Sequence, residues 1–168
     1  GKVGVLGHSE GGSIAFMLRA KGKVDFVISM AGIGVKGDTA LTAQTNKILE
    51  LAGQSMRLTT QQYRMNASLK KSPWLKFIID YDPSGDISKT FCPVMAINGN
   101  RDIQVISSLN LTGIKAHLKN NPKNVIKEYP SLNHLFQHCK TGNISEYRMI
   151  EETISPEVLE DIVRFIKQ

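Results

Sequence analysis

Apolar and polar positions along this chain fall into two alternating rhythms. Val3, Val5 and Leu6 form a short apolar run that meets Gly7, and a stretch with helical spacing, residues 13–19 with Ile14, Phe16, Met17 and Leu18, follows at once. Residues 24–30 are a second, near-continuous apolar run ended by Ala31-Gly32-Ile33-Gly34. Such a run predicts a strand buried on both faces of a parallel sheet, because helices packed on either side leave no face for polar residues. From residue 36 to 90 the rhythm is helical. Asp38 is placed to cap a helix carrying Leu41, Ile48, Leu49 and Leu51, with Gly53 near its end. A more polar helical piece covers roughly residues 58–70. Ser72-Pro73 opens a third helix with Trp74, Leu75, Phe77, Ile78 and Ile79, proline being well suited to the first helical position. Asp82-Pro83-Ser84-Gly85 reads as a turn.

The strand rhythm then resumes. Residues 93–97 form a short apolar strand that runs into Asn98-Gly99-Asn100-Arg101-Asp102, and a helix follows through Leu109, Ile114 and Leu118 to the Asn120-Asn121-Pro122 stop. Residues 125–129 are a fourth strand, and Pro130-Ser131-Leu132-Asn133-His134 is the loop after it. Ser155-Pro156-Glu157 opens the last helix, with Val158, Ile162, Phe165 and Ile166 on one face. Alternating strands and helices predict an α/β fold with a parallel sheet of about four strands and helices on both faces. The expected organisation is one domain over residues 1–168, with a helical insertion at 36–90.

Composition changes this picture little. The 41% hydrophobic and 21% charged shares describe a soluble globular protein with enough apolar residues for one core. No apolar run approaches the roughly 20 residues a membrane helix needs. The net charge of +6 comes from dispersed cations such as Lys21, Lys23, Lys36, Lys47, Lys70, Lys71, Lys115, Lys119, Lys123 and Lys127. Without a basic block interleaved with aromatics, neither a nucleic acid nor a membrane is the expected partner. Cys92 and Cys139 lack metal-ligand spacing; two free thiols are expected, although sequence leaves a disulfide between them open.

The chemistry-bearing motif is Gly7-His8-Ser9-Glu10-Gly11, set between the first strand and the first helix. G-x-S-x-G in that context is a nucleophile elbow, a turn so sharp that the serine is held in strained geometry with its hydroxyl above the sheet. Gly7 and Gly11 are expected to be glycines because a Cβ would collide with the adjoining strand or helix. Ser9, Asp102 and His134 each follow the carboxyl end of a strand, where reactive groups gather in such sheets. Serine is a poor nucleophile until an imidazole takes its proton, and a carboxylate orients that imidazole. His138, four residues on, is a rival base. His8 is expected to point away from the place of a base, His117 to be a surface residue, and Asp86 to cap a helix or turn; Asp80 and Asp82 lie in the insertion.

Gly7-His8-Ser9-Glu10-Gly11-Gly12, residues 93–102 and Leu132-Asn133-His134-Leu135-Phe136-Gln137 resemble bacterial α/β-hydrolase-fold serine esterases. Within them the likeness is to the prolyl oligopeptidase-like and serine-aminopeptidase-like branch. The resemblance implies Ser9 as nucleophile, Asp102 as acid, His134 as base and the Glu10 backbone N–H as half of an oxyanion hole. It implies that residues 36–90 are a cap. It further implies that the chain, starting at what would be the fifth of about eight strands, is the C-terminal part of the fold. A second oxyanion donor and any signal peptide would then precede it, and localisation is unassigned.

The expected activity is cleavage of carboxylic esters through an acyl-enzyme, with no metal or organic cofactor called for. A peptidase acting on acyl-peptides or short peptides is the enzymatic alternative, and a non-catalytic interaction module the other. Met56, Met65, Trp74, Phe77 and Tyr81 either line an acyl pocket or hold the insertion together. The strand edge at residues 2–7 is expected to be unpaired and to promote a homodimer.

Overall fold

A computed structural model describes residues 1–66 and 72–168. Four strands, β1 (Gly4–His8), β2 (Phe26–Met30), β3 (Val94–Gly99) and β4 (Val125–Tyr129), form one sheet in the order β1-β2-β3-β4, and every neighbouring pair is parallel. The expected α/β class and its four-stranded sheet are therefore observed. Register places Gly7 beside Ser29, His8 beside Met30 and Gly99 beside Tyr129, so β1, β3 and β4 end at the same rim.

The period of two along β2 and β3 divides the core between the two faces. Ile28, Met30, Met95 and Ile97 pack with Val158, Ile162 and Phe165 of α7 (Pro156–Ile166). Val27, Val94 and Ala96 face α1 (Glu10–Ala20), through Ala15 and Phe16, and α6 (Ser107–His117), through Leu111 and Ile114. Phe16 and Val158 are fully buried, each contributing roughly 1.5–3 kcal/mol relative to exposure. Ile166, expected on the buried face of α7, is 52% exposed, because the wedge facing the sheet admits only positions 158, 162 and 165. Cys92 and Cys139 are buried free thiols.

Between β2 and β3 lie α2 (Gly37–Leu51), α3 (Thr60–Arg64), α4 (Pro73–Asp80) and α5 (Ser84–Ser88). Ser72 caps α4 as expected, its hydroxyl accepting from the Leu75 N–H. Four expectations for this segment need correction. Asp38 is not an N-cap but the second residue of α2; its carboxylate turns inward to Arg64, and among the described residues no side chain caps this helix. The predicted helix at 58–70 is the short α3, started by a reciprocal Thr59/Gln62 capping box, while positions 67–70 and Lys71 lie outside the described residues. Finally, Asp82-Pro83-Ser84-Gly85 does not end in a turn but leads into α5. The Asp82 side chain accepts the Ser84 N–H, and burial of Ile87 against α1 and α6 stabilises this single turn of helix. Asp86 sits inside α5 and accepts the Tyr81 hydroxyl instead of capping. Among the described residues no helix is long and apolar enough to cross a membrane.

Candidate active site

Ser9 stands where β1 becomes α1, as the N-cap residue with φ 57° and ψ −120°. A non-glycine residue held there costs about 1–3 kcal/mol, which the surroundings must offset. The Ser9 N–H donates to the Met30 carbonyl at 2.8 Å, extending the β1–β2 ladder past the end of the strand, and the Ser9 carbonyl accepts from the Gly12 N–H at 2.9 Å. Gly7 is required by space, since a Cβ there would stand 1.9 Å from the Gly11 carbonyl oxygen. The expectation for Gly11 does not hold, because its Cβ direction is open. The crowded helical glycine is Gly12, where a Cβ would meet Ser29 Oγ at 2.6 Å and Gly32 Cα at 2.8 Å. Sheet-to-helix packing is closest one residue later than the motif suggests.

Asp102 follows β3 and is buried. Its Oδ1 accepts the backbone N–H groups of Gln104 and Val105, each at 2.8 Å, which locks the carboxylate in a tight turn. That leaves Oδ2 for His134 Nδ1, 2.7 Å away and also buried. A carboxylate can only accept, so Nδ1 carries the proton and Nε2 presents its lone pair. His138 is not brought to Asp102; it is exposed and hydrogen-bonded to Glu152 at 3.0 Å.

The loop carrying His134 is wired around Asn133, which is fully buried. Asn133 Oδ1 accepts from the N–H groups of Leu135 and Gln137, and its Nδ2 donates to Gln137 Oε1. Gln137 in turn donates to the Glu152 carbonyl. His8 also lies against this loop, contrary to expectation. Its Nε2 is 2.8 Å from the His134 carbonyl oxygen, and the two imidazole centroids are 4.6 Å apart. Burial holds the His8 imidazole below its ordinary pKa; the bond to the His134 carbonyl opposes that, and repulsion from a charged His134 adds to it. Among the described residues no hydrogen bond joins Ser9 Oγ to His134 Nε2. Such contacts in unliganded enzymes are often long and tighten with substrate.

Beside Ser9 lies a cavity of about 170 Å³, lined by Glu10, Ile33, Leu41, Trp74, Ile78 and Val105 among others. Trp74 reaches it from α4, and its Nε1–H donates to Glu10 Oε1 at 2.8 Å. Of the five apolar residues singled out from sequence, Trp74 alone lines this cavity. Phe77 stacks on Tyr81 with centroids 5.8 Å apart, and Met56 and Met65 are exposed. Gln104 also lines the cavity, its amide donating to the Tyr147 hydroxyl at 3.1 Å. A larger polar trough of about 540 Å³ shares only Asp102 with the candidate triad, and its cations Lys47 and Arg57 are paired with Glu50. Sequence reasoning missed His8, Asn133, Gln137 and Gln104. Asn133 alone carried a signal, since asparagine at a loop apex commonly bonds its own backbone.

A search of curated proteins returns no match. Among solved structures, an esterase of Pyrococcus furiosus superposes with a TM-score of 0.59 at 16% identity, over 99% of this chain and 53% of its own. Est1E from Butyrivibrio proteoclasticus superposes at 0.56 and 15% identity, over 100% and 63%. The acylaminoacyl peptidase of Pyrococcus horikoshii reaches 0.50 at 18% identity, over 79% and 20%. The chain thus spans about half to two thirds of the length of the two esterase-like structures. These likenesses show the fold, which is that of the C-terminal part of an α/β-hydrolase. The family model for the C-terminal domain of BAAT / acyl-CoA thioester hydrolases matches residues 1–138, and to that family the chain belongs.

Proposed function

We propose that this chain carries the acyl-transfer machinery of a serine hydrolase acting on carboxylic esters with small acyl groups. The observation that carries the reading is the buried 2.7 Å contact between His134 Nδ1 and Asp102 Oδ2, on a loop bonded to the residue next to a strained Ser9. In this mechanism Ser9 Oγ attacks the acyl carbonyl while His134 Nε2 takes its proton and then gives it to the leaving alcohol. Asp102 steadies the imidazolium. The Glu10 N–H, at the start of α1 where the helix dipole is positive, stabilises the oxyanion. Water then repeats the sequence to release the acid.

Cavity size argues for a small acyl group. An apolar cavity of about 150 Å³ accepts a benzene ring, so about 170 Å³ suits a short chain or a single ring. A thioester is the second reading, favoured by the description of the matched family. The chemistry is the same and only the leaving group differs.

The test is turnover of p-nitrophenyl acetate and acetyl-CoA, with fluorophosphonate labelling of the protein. Ser9→Ala, His134→Ala and Asp102→Asn are each expected to lower turnover by about 10³–10⁶-fold without additivity, because the three act as one unit. Labelling at a residue other than Ser9, or full activity in His134→Ala, overturns the assignment.

A further inference from the structure

The triad assignment leaves unexplained why the residue before Ser9 is a half-buried histidine bonded to the main chain of His134. Resting on the serine-hydrolase reading above, we propose that His8 is a positioning residue that holds the backbone of His134 over the nucleophile elbow. Tyr147 also reaches the main chain of His134, and beside it three groups each restrain a different freedom of the base. Asp102 orients the imidazole through Nδ1, and Asn133 shapes the loop around its own side chain. Neither sets the height of that loop above Ser9. The His8 bond does, because it runs from the residue adjoining the nucleophile to the carbonyl of the base itself.

The chemistry of the contact selects histidine over a space-filling residue. A carbonyl oxygen can only accept, so His8 Nε2 carries the proton. The ring lies between those of His134, with centroids 4.6 Å apart and planes tilted by 48°, and Phe136, with centroids 6.3 Å apart in a T-shaped arrangement. The titratable groups facing it are His134 and, behind it, Asp102. Burial lowers the His8 pKa and so favours the neutral ring, which suits the mechanism, since a second cation beside His134 would oppose formation of the imidazolium. Leucine would keep the packing and lose the bond. Glutamine, whose amide nitrogen reaches the place of Nε2, would keep both.

The experiment compares the full chain with His8→Leu and His8→Gln, using kcat and KM for p-nitrophenyl acetate, melting temperature, and proton NMR of the His134 Nδ1–H. His8→Leu is expected to lower kcat by roughly 100-fold, the scale of a 1 Å misplacement. KM and melting temperature should stay near the wild-type values, and His8→Gln should recover most of the loss. The Nδ1–H signal should survive in His8→Gln and broaden through faster solvent exchange in His8→Leu, a readout that needs no turnover. Equal behaviour of the two variants, a kcat loss that tracks melting temperature, or unchanged Nδ1–H exchange in His8→Leu overturns the positioning role. Unchanged turnover in Ser9→Ala overturns the hydrolase reading instead, which separates the two failures.

Discussion

The rim of the sheet and the inserted helices above it are held by different forces. At the rim, Ser9, Asp102 and the His134 loop are held by main-chain hydrogen bonds and by the buried side chains of Asp102, Asn133 and His134. The insertion is anchored by the buried Ile87 of α5 and by the Gly37 N–H bond to the Tyr81 carbonyl, and α3 and α4 are tied on mainly by side chains. Arg64 bridges Asp38 at 2.5 Å and Asp80 at 2.9 Å, tying α3 to α2 and α4, while Trp74 reaches Glu10 across the cavity. Its Met56, Met65, Trp74 and Phe77 are all more than half exposed. On the proposed reading, the groups that must not move are bonded to backbone, whereas those that would select a substrate rest on contacts a single substitution can exchange.

The largest expected effect tests the rigidity of the rim. Gly7→Ala forces a methyl onto the Gly11 carbonyl and is expected to cost about 1–3 kcal/mol or more and to abolish fluorophosphonate labelling, whereas Gly11→Ala, pointing into open space, should do neither. Thermal melts and labelling of both variants decide it; equal damage from Gly11→Ala, a change that helix propensity favours, would show that the close approach at Gly7 does not govern the turn.

A smaller effect is expected where the two regions meet. Trp74→Ala should shift the preference among acetyl, butyryl and octanoyl esters by about 1–3 kcal/mol in kcat/KM ratios. Phe77→Ala, which removes a ring stacked on Tyr81 and not lining the cavity, should leave the ranking unchanged. If the two variants behave alike, the insertion acts as one body and Trp74 has no separate part in selection.

Within the insertion, Arg64→Ala should loosen α3 by about 1–2 kcal/mol, a value discounted for the partial exposure of Arg64. Burial alone would raise the Asp38 pKa, but the Arg64 hydrogen bond and charge outweigh it and the net pKa lies below 3.8. That contribution is complete above the unfolded value and is lost as pH falls through the lower folded one. Protection of the Gln62 and Tyr63 amides, taken relative to the intrinsic exchange rate at each pH, should therefore fall below about pH 4 in the wild type, and already be lower at neutral pH in Arg64→Ala. Exchange indifferent to both changes would show that the ion pair does not hold α3.

The smallest effect concerns the free edge of the sheet. Among the described residues β1 pairs with β2 alone, and Val3 and Leu6 are 61% and 50% exposed. We expect a weak dimer through residues 2–7, visible by light scattering at high concentration and reduced by Leu6→Lys. A monomer at every concentration rejects it.

The strands, and the three polar residues that follow β1, β3 and β4, were legible in the sequence because they rest on local patterns. A run of apolar residues wide enough for two faces, a glycine-rich turn and a histidine in the loop after a strand are all written within a few consecutive positions. Partners distant in sequence were not legible. His8 meets the His134 carbonyl 126 positions away, Trp74 meets Glu10 at a separation of 64, and Asp38 meets Arg64 at 26. No periodicity encodes those meetings, since they depend on how layers stack once the sheet has formed. The same reason moved the crowded glycine from position 11 to 12 and turned Asp38 from a cap into an ion-pair partner. Local sequence determined which residues could do the chemistry; only the packing of α1 on the sheet and of α2 to α4 above it decided what surrounds them.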